Sequence, residues 1–214
     1  MKKNKKKKLK YKIPLIILAI LIIFIVIMLI FKIFGGKKED TTVKVVDSID
    51  NFGYTLDERD TKLMKDTYNE LKKCLQNKDV DYDEYAKILA KLFIIDLYTI
   101  NNKVNKYDVG SLEYVYPDNI DNFKLNVEDT LYKIVENNTD NKRKQSLPEV
   151  SSITVDDVKK DKFSYGEDEH DSYIVKANWQ YAKDLGYDDS ATVTLIQKDN
   201  RLYVVAFTPG EENE

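Results

Sequence analysis

Cysteine is almost absent: Cys74 is the only one among 214 residues. A single thiol forbids an intramolecular disulfide and any cysteine-built metal cluster, so whatever this chain folds into must rest on its core alone. Histidine is as scarce, with His170 standing alone. Without a second histidine, neither a histidine-based zinc site nor a Ser-His-Asp triad of the familiar kind can be assembled. Only five glycines follow Gly36, at scattered positions, and no Gly-rich phosphate loop runs through them. No internal repeat is visible. These absences remove most motif-borne chemistry, and neither a cofactor nor a metal is expected.

Lysine, by contrast, is concentrated at one end. Eight lysines lie between Lys2 and Lys12, and nineteen apolar residues follow from Ile13 to Phe31. As a helix that run spans about 28 Å, close to the hydrocarbon thickness of a bilayer. A secretory signal peptide has a shorter apolar core and a small-x-small cleavage site. Here the run ends in Lys32-Ile33-Phe34-Gly35-Gly36-Lys37-Lys38 with no such pattern, so an uncleaved anchor over 13–34 is expected; the rival is a signal peptide cut near Gly35-Gly36. The lysine excess upstream places residues 1–12 in the cytoplasm and exports the rest. Lys5, Lys6, Lys7, Lys8, Lys10 and Lys12 are the candidates for contact with anionic headgroups, making the bilayer one expected partner.

The anchor conceals a charge split. Residues 1–38 carry eleven lysines and no acid, whereas the remainder carries 23 Lys and Arg against 37 Asp and Glu, or −14. A domain so acidic repels phosphate, which excludes nucleic acid as its partner. The heavy use of Lys, Asn, Ile, Asp and Tyr suggests an AT-rich genome, as in low-GC Gram-positive bacteria.

Residues 35–54 read as a stalk, 55–208 as an exported α+β domain, and 209–214 as a tail. Thr55-Leu56-Asp57-Glu58 is a capping-box pattern and predicts a helix to about Asn77. Leu63, Met64, Leu71 and Cys74 share its apolar stripe, so Cys74 reads as a small buried hydrophobe. Asp81-Tyr82-Asp83-Glu84 caps a second helix running to Asn101-Asn102, with Tyr85, Ile88, Leu89, Leu92 and Phe93 on one face and Tyr98 opposite. The acids of Asp79 to Asp83 are explained by that cap; an EF-hand fails because Glu84 and Ala90 stand where its glycine and glutamate belong. Ser111 to Tyr116 has strand composition and stops at Pro117, which suits the first turn of a third helix reaching Asn137. Beyond Pro148 the hydrophobic period changes to two. Val150 to Tyr165 is one long or two short strands, broken near Asp156-Asp157. Tyr173 to Tyr181 and Ala191 to Ile196 alternate. Asp199-Asn200 fits a hairpin turn before a last strand from Leu202 to Phe207.

The order helix, helix, short strand, helix, four-strand antiparallel meander resembles the nuclear transport factor 2-like (cystatin-like) α+β fold. That resemblance implies three helices packed on a curved, cone-like four-stranded sheet. The layout of cytoplasmic N-terminus, one membrane helix and exported domain is similar to the bitopic assembly subunit of type IV secretion and conjugation systems. The resemblance rests on element order, with no residue motif to carry over.

Asp96 is the sharpest anomaly, a carboxylate in the centre of an apolar stripe. It reads either as a general base or ligand anchor in the cone's interior, or as a structural acid bonded to a tyrosine hydroxyl, a lysine or backbone amides. Trp179 and Tyr181, with Tyr173, either line a binding cavity or pack sheet against helices. His170, among acids, has the composition of a solvated turn. The leading expectation is a non-enzymatic, tethered domain that binds a protein partner or helps assemble an envelope complex of the secretion or conjugation kind. The alternative is small-ligand binding or isomerase-like catalysis around Asp96. A sensor is a poor third reading, since twelve cytoplasmic residues are too few for a signalling domain.

Overall fold

The computed structural model of the chain describes residues 43–210. The lysine tail and the expected anchor at 13–34 lie outside these residues. Among the described residues no helix is long and apolar enough to cross a membrane.

The architecture is α+β, three helices with a mostly antiparallel sheet. It opens with a hairpin, β1 (Val45–Ile49) and β2 (Tyr54–Asp57). Part of the expected stalk thus belongs to the packed unit, and Tyr54 is fully buried. The expected helix start at Thr55 is a strand instead. The Thr55 amide and hydroxyl are both taken by the Glu113 carboxylate, at 3.1 and 2.7 Å, a partner from far along the chain that overrides the local capping pattern. Helix α1 (Lys62–Gln76) begins nearly two turns later, where the Thr61 hydroxyl accepts from the Met64 amide at 3.2 Å. Cys74 lies buried on its inner face, and burial pushes its thiol above the ordinary value.

Helix α2 (Tyr82–Tyr98) opens as expected, the Asp81 side chain accepting from the amides of Asp83 and Glu84. It is apolar almost all round and is covered on several sides by α1 and the sheet. That is why Tyr98, expected on the far face, is buried: its ring lies 4.9 Å from that of Trp179.

Ser111 to Tyr116 is not a strand. It forms a 3-10 turn, Leu112–Tyr114, and then a single parallel bridge, Val115 to Val204. Ser111 sits in the left-handed region at φ 66°, and Pro117 carries no amide hydrogen to extend a ladder. A 3-10 turn at Pro117–Asn119 leads into α3 (Ile120–Asp129). This helix stops well before Asn137. Thr130 leaves helical dihedrals, its hydroxyl taking the Asn126 carbonyl at 2.7 Å. Tyr132 then turns inward to donate to the Leu97 carbonyl at 2.8 Å. The apolar period persists through turns, so periodicity alone overran the helix.

The sheet contains β3 (Val150–Val155), β4 (Lys159–Tyr165), β5 (Asp168–Tyr181), β6 (Ser190–Lys198) and β7 (Arg201–Pro209), in the order β3-β5-β6-β7 with β4 also on β5. The long β5 holds β3 along its C-terminal half and β4 along its N-terminal half. The two are one strand position interrupted at Asp156–Val158, as the sequence pattern suggested, so five strands fill four positions. His170 lies within β5 opposite Phe163 and is half-buried, not in the turn. Asp199 and Asn200 close the β6–β7 hairpin, with Asp199 at φ 56°.

Tyrosine does much of the packing between helices and sheet. Tyr54, Tyr68, Tyr85, Tyr98, Tyr114 and Tyr132 are buried to within 2 %. The hydroxyls of Tyr54, Tyr68, Tyr85 and Tyr132 serve backbone groups that would otherwise be orphaned. Tyr54 donates to the Leu202 carbonyl at 3.1 Å, and Tyr85 accepts from the Leu202 amide at 3.3 Å. Two side chains thereby seal the start of β7 on the edge that β6 does not cover.

Candidate functional site

Two cavities flank α2, one polar and one apolar. The polar one has a volume of about 270 Å³ and contains Asp96. The Asp96 carboxylate receives Lys103 Nζ at 2.5 Å on one oxygen, and the Ser111 amide and hydroxyl on the other. The Ser111 hydroxyl also reaches the Phe93 carbonyl, at 2.7 Å. Gly110 is required beside this latch, because a Cβ there would lie 2.6 Å from the Asp96 carbonyl oxygen and 2.9 Å from its carboxyl carbon. Asp96 therefore fastens the loop 103–111 to α2. The Asp96 carboxylate thus has a lysine and a backbone amide as partners, and it also lines the polar cavity.

Lys103 is only 6 % exposed. Burial by itself would push its ammonium down, but the Asp96 charge outweighs burial and holds it above the ordinary lysine value. Around the latch, Arg59 forks onto Asp108 at 2.6 and 3.3 Å, and burial, the larger influence, is overcome so that Asp108 stays below the usual carboxylate range. Asp60 is less well served. Burial, with the charges of Asp57 and Asp96, pushes its carboxyl up to about 6, although the Asp57 amide donates to it at 2.7 Å. Among the described residues lining this cavity, five acids face Arg59 and Lys103 alone as cations, yet most of their oxygens are already committed to protein donors. Among the described residues no group of acids, cysteine and histidine has the arrangement to hold a metal ion.

The apolar cavity is larger, about 600 Å³. It is an open cleft between α3 and β7, closed at its base by Leu97 and Tyr98 of α2. Its α3 wall presents Asn122, Phe123 and Asn126; its β7 wall presents Val204 to Phe207. The polar handles at the base are the Tyr98 hydroxyl and Asp188, 3.2 Å apart. Burial, chiefly, and the Asp188 charge keep the Tyr98 hydroxyl protonated far beyond neutral pH.

Trp179 is 3 % exposed and packs on Tyr98, while the Tyr181 hydroxyl donates to the Asp188 carbonyl. Neither lines either of these cavities. They stand behind the cleft and support it. Lys5, Lys6, Lys7, Lys8, Lys10 and Lys12 lie outside the described residues. The cleft itself escaped sequence reasoning: nothing in the alternation of β7 says which strand becomes the sheet's edge. The one available signal was the last strand's apolar residues on both faces, one more face than a single layer of helices covers. Comparison with family models, characterised proteins and solved structures finds no match to this chain.

Proposed function

We propose that the chain is a single-pass membrane-tethered protein whose exported domain binds a protein partner in the cell envelope through the cleft between α3 and β7. The observation that carries this reading is the cleft itself: about 600 Å³ of mainly apolar wall laid along the free edge of a sheet. Apolar residues on that edge, Val205, Ala206 and Phe207, are only half-buried. Apolar surface left open beside a backbone edge is the usual mark of a binding face.

The lysine cluster and apolar run supply the tether and orientation, and the −14 remainder favours a protein over a nucleic acid. Three helices on a largely antiparallel sheet are compatible with the nuclear transport factor 2-like fold, and the layout with the bitopic assembly subunit of secretion and conjugation systems. Asp96 is a weaker basis for catalysis, since an ion-paired, amide-bound carboxylate is a poor general base. A second reading, a small ligand oriented by Tyr98 and Asp188 at the cleft base, draws on those two polar groups among apolar walls.

The test is photo-crosslinking in intact cells from Asn122 and Val205, with Lys162 on the sheet's other edge as control. A discrete protein adduct shared by the two cleft positions and missing from the control is expected. No adduct at the cleft, or the same adducts from all three positions, sinks the reading.

A further inference from the structure

The edge of β7 is sealed in its first half and vacant in its second. The outward amide and carbonyl of Leu202 are taken by Tyr85 and Tyr54, and the Val204 carbonyl accepts from the Tyr116 amide at 3.0 Å. Val115 and Tyr116 thus begin a parallel strand on this edge and abandon it after one bridge, because Pro117 turns the chain into α3. Among the described residues no backbone hydrogen bond other than those from β6 reaches Val205 to Pro209. The vacant stretch lies along the β7 wall of the cleft and ends at Pro209, which offers no amide hydrogen. It is therefore a slot of bounded length, about 15 Å at strand spacing, where the ladder interrupted at Tyr116 could continue.

We propose that this slot takes an extended segment of a partner protein, which adds to β7 as a strand and carries basic residues beside its apolar ones. The proposal rests on the protein-binding reading above and names its mode. Main-chain bonds to the β7 edge would hold the segment, and the apolar walls Phe123 and Phe207 would receive its alternate side chains. Charge selects its composition. Asp188 is exposed and lines the cleft itself, and the exposed Asp118, Asp129 and Asp189 directly precede or follow lining positions, against Lys124. A lysine-flanked segment is attracted to such a rim and an acidic one is repelled.

The experiment uses the full chain in detergent micelles and, as probe, a short synthetic peptide alternating valine and threonine between lysine ends. Hydrogen–deuterium exchange is followed by mass spectrometry with and without it. The peptide is expected to slow exchange in the β7 segment from Val204 to Thr208. The same peptide with alternate amides N-methylated, or with glutamate ends, is expected to bind at least about tenfold more weakly. In the exposed-site double variant Asp118→Lys/Asp129→Lys, with protection of α2 unchanged as the folding check, affinity for the lysine peptide should fall about fivefold or more. Equal binding of the N-methylated peptide, or no protection of β7, overturns strand addition. Protection that appears without peptide and grows with protein concentration assigns the slot to a second copy of the chain and also overturns it. Shared crosslinks at Asn122 and Val205 with no β7 protection would leave protein binding standing and remove only the strand mode.

Discussion

Replacing Asp96 with alanine separates a structural latch from a functional acid. In the folded chain Lys103 is 6 % exposed and its ammonium has Asp96 as its ion-pair partner at 2.5 Å. Removing the carboxylate leaves a buried cation and frees the Ser111 amide, and breaking one side of a buried pair costs about 3–5 kcal/mol. A ceiling exists, because the lysine can surrender its proton: from an ordinary pKa near 10.4, that costs about 4.6 kcal/mol at pH 7. A loss of about 3–4 kcal/mol is therefore expected from urea unfolding of residues 42–214. The reverse change, Lys103→Met, should cost less, about 1–2 kcal/mol, since Asp96 keeps the Ser111 donors and its side chain is 17 % exposed. The double variant should recover part of the loss. The pH dependence carries a sign as well. Wild-type Lys103, held above its unfolded value, contributes fully below about pH 10 and loses that contribution only as pH rises through its raised folded value. In Asp96→Ala the same lysine is depressed, so the deficit should shrink between pH 7 and pH 9.5. An Asp96→Ala variant within about 1 kcal/mol of wild type, or more stable, would refute the latch, because residues kept for function are commonly replaced without loss of stability.

Asp60→Asn should stabilise the domain by about 1–2 kcal/mol at pH 7.5, discounted for partial exposure, and by nothing at pH 3.5; the penalty is complete above a carboxyl value of about 6 and vanishes below its ordinary value near 3.8, as thermal melts at the two pH values will show. Gly110→Ala places a Cβ 2.6 Å from the Asp96 carbonyl oxygen and should cost about 1–3 kcal/mol in urea, with faster proteolysis of the loop 103–111. For orientation, Asn200→Cys on the exposed hairpin should react with a membrane-impermeant maleimide in intact cells while the buried Cys74 of the parent does not; labelling only after lysis would reverse the topology.

Legibility in the sequence followed the range of the interactions. The α2 cap at Asp81, the break at Asp156-Asp157 and the Asp199-Asn200 turn were readable because each is settled by residues a few positions apart. Thr55-Leu56-Asp57-Glu58 misled because Glu113, 58 positions away, takes the Thr55 donors and keeps the segment extended. At the site, the cost of burying Asp96 was visible from its phase on the helix. The donors that meet that cost, Lys103 and Ser111, were not, because a loop carries them back onto α2.

By itself the sequence determined the charge split, the apolar run at 13–31, the two core helices and the change of period that separates helical and sheet halves. These follow from composition and local periodicity, which need no knowledge of neighbours. Only the tertiary structure decided that β7 is an edge strand, that Tyr116 starts a ladder on it and leaves, and that α3 stands off far enough to open a cleft. Edges and clefts are properties of how elements are arranged, and two strands with the same alternation are indistinguishable until one of them is left without a neighbour.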